Sequence, residues 1–147
     1  MITAVDTNIL LDVLVAGSAF SASSKSLLDS GNAAGRLVVC EIVVAEMGAR
    51  FSSADDLQAF LEESGIKVSY LEPKSLWIAG QLWRKYRDRP DQAVCPKCRN
   101  PLPGRSRVIS DFLIGAHGLV QADALLTRDR GFYSKYFKGL KVIGPAG

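Results

Sequence analysis

The chain has 147 residues, 48% of them hydrophobic and 22% charged, a size and balance that suit one globular domain with a real core. A net charge of +3 is too small for a polycation that coats nucleic acid with its whole surface. The charge is nonetheless segregated: residues 1–83 hold five basic and ten acidic side chains, and residues 84–147 hold thirteen basic and five acidic. One half can attract phosphate while the other gathers carboxylates. In chain order, residues 2–6 read as a short apolar strand, followed by helical patterns at 8–15 and 23–29. A second strand at 36–40 leads into helices at 41–51 and 54–64, the latter opening on Ser53 with acids in its first turn. A third strand at 67–71 precedes an amphipathic helix at 74–87, with Leu76, Ile78, Ala79, Leu82, Trp83 and Tyr86 largely on one face and Arg84, Lys85 and Arg87 on another. Helix 108–120, strand 124–127, a short helix at 132–137 and strand 140–143 complete the chain.

Strand and helix alternating in this way predict an α/β fold, a three-layer sandwich with a mostly parallel sheet of four or five strands. One domain is expected over residues 1–147, interrupted by an inserted loop at about 89–106, where four prolines and Gly104 surround Cys95 and Cys98. The first basic residue is Lys25, and Asp6 and Asp12 break the only early apolar stretch, so no secretory signal is expected. The longest uncharged runs, 13–24 and 112–122, fall short of the roughly 20 residues that span a bilayer. Three cysteines, an odd number, make no disulfide framework, and a soluble protein of a reducing cytoplasm is the expectation.

In an open α/β sheet the ligand site lies beyond the carboxyl ends of the strands, which gives acids there priority. Asp6 closes the first strand, although a helix N-cap would explain it equally well. Asp111 is harder to dismiss, because its helix neighbours are nearly all apolar and an unpaired carboxylate there would cost several kcal/mol to desolvate. Its partner should be cationic, either an arginine or a metal ion. Glu46 repeats the pattern within Ile42-Val-Val-Ala-Glu-Met, whereas Glu41 reads as an exposed first-turn residue. Asp129 follows the fourth strand directly. Four acids converging on one crevice would repel one another without a cation. Oxygen ligands without a His or Cys set favour Mg²⁺ or Mn²⁺, and such ions serve phosphoryl chemistry. Asn8, Ser110 and Thr127 are nearby polar groups suited to orienting ligands or water. A dehalogenase-like phosphatase would need a second Asp two positions after Asp6, where this chain has Asn8; a metal-free phospho-acceptor domain would leave Asp111 and Glu46 unexplained.

Asp6-Thr-Asn, Val43-Val-Ala-Glu46, Asp111-Phe-Leu-Ile-Gly-Ala-His and Leu125-Leu-Thr-Arg-Asp129-Arg-Gly-Phe-Tyr together resemble the PIN-domain ribonucleases, and most of all the VapC-type toxins of toxin–antitoxin pairs. The likeness covers nearly the whole chain apart from residues 89–106. It implies a PIN-like α/β/α sandwich and a cytoplasmic Mg²⁺- or Mn²⁺-dependent endoribonuclease that hydrolyses RNA phosphodiester bonds as a homodimer and is held by a small cognate antitoxin. It further implies that Asp6, Glu46, Asp111 and Asp129 form the catalytic acidic site. Asp6 and Asp111 would ligate metal directly, and Glu46 and Asp129 directly or through water.

RNA must approach those acids against their repulsion, which calls for cations at the rim. Arg128 and Arg130, flanking Asp129, are the preferred pair; Arg84, Lys85, Arg87 and Arg89, and Arg105 and Arg107 ahead of the Asp111 helix, are the other candidates. Phe132, Tyr133, Tyr136 and Phe137 have spacing that suits core packing better than base stacking. His117 stands six residues after Asp111, off its helix face, and is read as structural. Cys95-Pro-Lys-Cys98 looks like half of a zinc knuckle, for which the resembled family offers no precedent. Four ligands are needed, so Cys40, His117 or the same knuckle of a second subunit would have to complete it; a redox disulfide or two free thiols are the other readings. From another class altogether, a non-catalytic RNA- or protein-binding module on the same fold would keep the architecture without the chemistry.

Overall fold

The computed structural model describes residues 1–15, 17–89, 95–100 and 107–145. Among them the elements run β1 (Ile2–Val5), α1 (Thr7–Leu14), α2 (Ser21–Ala34), β2 (Arg36–Val39), α3 (Glu41–Gly48), α4 (Ala54–Glu63), β3 (Ile66–Val68), α5 (Pro73–Arg87), α6 (Ile109–Gln121), β4 (Ala124–Leu126), α7 (Arg130–Tyr136) and β5 (Val142–Ile143). The five strands form one sheet in the order β3-β2-β1-β4-β5, and every pairing is parallel. Thr3, Ala4 and Val5, Leu37 to Val39, and Ala124 to Leu126 are all buried, so successive residues of the inner strands are covered on both faces, as a parallel sheet between helical layers requires. The chain steps outward from β1 through β2 to β3, then returns to lay β4 on the other side of β1. That reversal makes a switch point between β1 and β4, and open α/β sheets bind their ligands beyond the carboxyl ends at such a point. The two ends stay in register: Ala4 pairs with Leu125, and the Asp6 N–H donates to the Leu126 carbonyl at 2.9 Å.

Local structure follows the expected punctuation in most places. Ser53 caps α4 by accepting the Asp56 N–H at 3.1 Å. Pro73 stands at the start of α5, where its missing N–H is harmless. The largest departure is α2, which the sequence pattern ended at residue 29 and which runs on through Gly31 and Asn32 to Ala34. Two tertiary contacts outweigh the weak propensities there: Leu37 packs where a Gly31 side chain would stand, and the Asn32 side chain donates to the Ser64 carbonyl at 2.9 Å. Of the expected insertion, residues 90–94 and 101–106 lie outside the described residues, and 95–100 form a turn. No helix among the described residues is long and apolar enough to cross a membrane.

The core over β4 is aromatic. Phe112 of α6, fully buried, meets Trp83 and Tyr86 of α5 and Phe132, Tyr136 and Phe137 of the α7 region, at ring separations of 5.3 to 6.1 Å. Residues 132–137 thus serve packing, and the buried Phe132, Tyr133 and Phe137 have no face to offer a base. Phe137 also lies flat over Gly115 of α6, so closely that a Cβ on residue 115 would overlap three of its ring carbons. Gly115→Ala is accordingly expected to destabilise the protein by about 1–3 kcal/mol although alanine is the better helix former. Urea denaturation measures it, and a gain in stability would show that the α6–α7 contact is loose.

Candidate active site

Asp6 ends β1 and stands at the N-cap of α1, yet its carboxylate makes no capping hydrogen bond. Instead its Oδ2 accepts from the Thr127 hydroxyl at 2.7 Å and from the Asn8 side-chain amide at 3.1 Å. Thr127 is a hub at the end of β4. Besides donating to Asp6, its hydroxyl accepts from the Asp129 N–H at 3.0 Å and from the Asn8 side-chain amide at 3.3 Å, and the Asn8 Oδ1 accepts the Arg128 N–H at 3.1 Å. The N-cap explanation of Asp6 therefore fails on geometry, and the segments after β1 and β4 are tied together through side chains chosen for oxygen and nitrogen rather than bulk.

The other acids reach this point from three further elements. Glu46 stands on an exposed position of α3, so burial does not constrain it; its Oε1 accepts from the Thr7 hydroxyl at 2.9 Å, which ties it to the residue beside Asp6. Asp111 lies half-buried in the first turn of α6, behind Ser110. Asp129 precedes α7 and forms an ion pair with Arg107. The four carboxylates share one electrostatic neighbourhood. Burial raises the Asp6 pKa to about 6, against the pull of its Thr127 hydrogen bond, and the charges of Asp111 and Glu46 push it further. Burial also raises Asp111, and Asp129 adds to the rise while Arg107 opposes it. Arg107 is thus the cation that the helix segment lacked, but it is one guanidinium shared between Asp129 and Asp111, and it lies over the Phe132 ring at 4.4 Å. One positive charge does not balance four acids.

The sequence matches the PIN domain family over residues 3–138. This chain is a PIN domain. No curated protein matches it. Among solved structures it is similar to VapBC2 from Rickettsia felis bound to a promoter DNA fragment, with a TM-score of 0.68 and 18% identity over 99% of this chain and 100% of that one. It is also similar to VapBC-1 from nontypeable Haemophilus influenzae, with a TM-score of 0.61 and 19% identity over 98% of each chain. A third likeness is to VapC20 of Mycobacterium tuberculosis, a sarcin-ricin loop cleaving toxin, with a TM-score of 0.57 and 15% identity over 95% of this chain and 98% of that one.

In this PIN domain the donor set at the crevice is carboxylate, amide and hydroxyl oxygen, the set that suits a hard divalent ion. Among the described residues no three acidic, His or Cys side chains stand close enough to encircle one ion. The arrangement fits an ion held by one or two carboxylates and completed by water, the ordinary habit of Mg²⁺. His117 takes no part: it is buried, its charged neighbours are Glu41 and Glu72, and burial pushes its pKa down. Glu41 itself is half-buried and accepts the Leu71 N–H at 2.9 Å, more engaged than a first-turn surface acid.

Three residues of the site neighbourhood went unnoticed in the sequence. Thr7 is one. Tyr133 is another: its hydroxyl is buried beside Asp6, and burial first, then the charges of Asp6 and Asp111, push its pKa well up. The third is Asp12, buried on α1, whose carboxylate accepts from Ser24 at 2.7 Å and Ser18 at 3.2 Å and pairs with the Arg128 Nε at 3.0 Å. Arg128 lies over the Phe20 ring at 4.9 Å and so is fixed in place, whereas Arg130 opens α7 at an exposed position. Arg84 and Lys85 are exposed on the last turn of α5.

Proposed function

We propose that this PIN domain is a divalent-metal-dependent endoribonuclease that hydrolyses RNA phosphodiester bonds and acts as the toxin of a type II toxin–antitoxin pair in the cytoplasm. The observation that carries the reading is the excess of carboxylate at the β1/β4 switch point: four acids, one shared arginine, and Asp6 held by burial and repulsion at a pKa of about 6. Such a site is stabilised by a cation and by little else. A bound Mg²⁺ or Mn²⁺ would supply the charge that lets a phosphodiester approach and would lower the pKa of a water for attack.

The protein's own part is positional. Thr127 and Asn8 fix the Asp6 carboxylate through Oδ2, and Thr7 holds Glu46. Asp6 and Asp111 would be the direct ligands of such an ion, Glu46 and Asp129 would bind it through water or directly, and Ser110, next to Asp111 in the chain, would orient water. Arg107 holds Asp129 and brings positive charge to the rim. Arg128, anchored through its Nε, still has its two terminal amino groups for phosphate, and Arg130, Arg84 and Lys85 extend the cationic approach. The kinship with VapBC complexes supports an antitoxin partner, and a homodimer belongs to the same proposal. The exposed Tyr70, Leu76 and Trp77, from 49% to 70% accessible, are apolar surface that a protein partner would cover.

Incubation of the purified protein with a panel of structured and single-stranded RNAs tests the reading. Cleavage in Mg²⁺ or Mn²⁺ that stops in excess EDTA and returns when the ion is restored is the expected result. RNA that is bound equally well with and without divalent ions, and never cut, would instead make this a binding module on a nuclease fold.

A further inference from the structure

Between α5 and α6 in the chain, residues 95–100 form a small turn whose purpose the nuclease reading does not explain. The Arg99 N–H donates to the Cys95 carbonyl at 2.9 Å, and the Cys95 N–H donates to the Asn100 carbonyl at 2.8 Å, so the backbone curls round the first cysteine. Arg99 takes a left-handed conformation, φ +63°, a position where a side chain is disfavoured and which lets the chain fold back directly after Cys98. Two cysteines three positions apart within one such turn have the spacing at which a single soft metal ion can be shared. Cys98 is exposed and Cys95 partly so.

The chain cannot complete a tetrahedral site of soft ligands by itself. It contains three cysteines and one histidine. Cys40, between β2 and α3, is buried at 1% exposure, and His117 is buried at 1% on α6. A structural zinc site needs four ligands, and a second copy of this chain brings the missing two in the same preformed turn. We propose that Cys95 and Cys98 form a zinc half-site, and that two copies of the chain share one Zn²⁺ through four thiolates. Each thiolate releases its proton to solvent as the ion binds, and no redox change is involved.

Elemental analysis and cobalt titration of the full chain, purified under reducing conditions without chelator, test this without reference to RNA, so the outcome is independent of the nuclease reading. The expected result is half a zinc ion per chain. Co²⁺ should give the intense thiolate charge-transfer and d–d bands of a tetrahedral thiolate site and saturate at half an equivalent. Cys95→Ser/Cys98→Ser should lose both the zinc and the cobalt bands while its circular dichroism stays that of the parent, since both side chains are at the surface. Zinc near zero, saturation at one equivalent per chain, or a signal that survives the double substitution would each overturn the shared site.

Discussion

Asp6→Asn is expected to lower RNA cleavage by at least roughly 100-fold while making the metal-free protein more stable at neutral pH. The two effects have one cause. A carboxyl with a pKa of about 6 in the folded protein, against 3.8 unperturbed, holds its proton more tightly folded than unfolded. Its support for folding is therefore complete below about pH 4 and is lost as pH rises through about 6. At pH 7.5 the ionised, buried Asp6 burdens the fold by an amount on the order of 3 kcal/mol, which asparagine removes while its carbonyl still accepts from Thr127. Asp111→Asn should behave likewise in activity, with a smaller gain in stability because Arg107 offsets part of the penalty there. Urea denaturation in EDTA between pH 4 and 7.5 should show wild type and Asp6→Asn converging in acid and separating as the pH rises. A variant no more stable than wild type at pH 7.5 would mean that the carboxylate is already compensated, and the case for a cation would fall.

Phe112→Ala is expected to cost about 3–5 kcal/mol, a large share of what holds a domain of this size. Phe112 is fully buried at the meeting of α5, α6 and α7, with five aromatic rings around it. Alanine would leave a cavity that neighbours this stiff cannot close. The same ring sits beside Asp111 on α6 and against the helix that follows Asp129, so the packing that stabilises the fold also sets the spacing of two of the four acids. The melting temperature should fall by roughly 10 °C or more, and nuclease activity should decline below the midpoint as α6 and α7 lose register. A loss under about 1 kcal/mol would show that the aromatic cluster repacks, and would release the site from dependence on it.

Most of the architecture was legible because its signals are local. Strands of apolar residues ending in Asp6 and Thr127, and helices with one apolar face, need no partner to be seen, and their alternation restricts the fold to a parallel sheet between helices. The end of α2 was not legible, since Gly31 and Asn32 are helical only through Leu37 and Ser64, far along the chain. At the site, Asp111 and Glu46 stood out as acids in apolar company, and Asp6 and Asp129 by their place at strand ends. Asp12 carries the apolar-company signal too, between Ile9-Leu-Leu and Val13-Leu14, but stands at no strand end, and only the structure shows that it anchors Arg128 through Nε. Glu46 was chosen for burial that it does not have, and what holds it is the Thr7 hydroxyl, a contact across 39 residues of sequence. Tyr133 was hidden for the opposite reason: its spacing speaks for core packing, which is true, and nothing in the sequence tells that its hydroxyl ends beside Asp6.

The account rests on one cation binding at the carboxyl ends of β1 and β4, and a crystal grown with Mn²⁺ and measured for anomalous scattering tests that most directly. A strong peak within ligating distance of Asp6 and Asp111, absent from crystals of Asp6→Asn, is the expected result. Asp6 and Asp111 ordered in the same crystal with manganese bound only elsewhere, or nowhere, would contradict it.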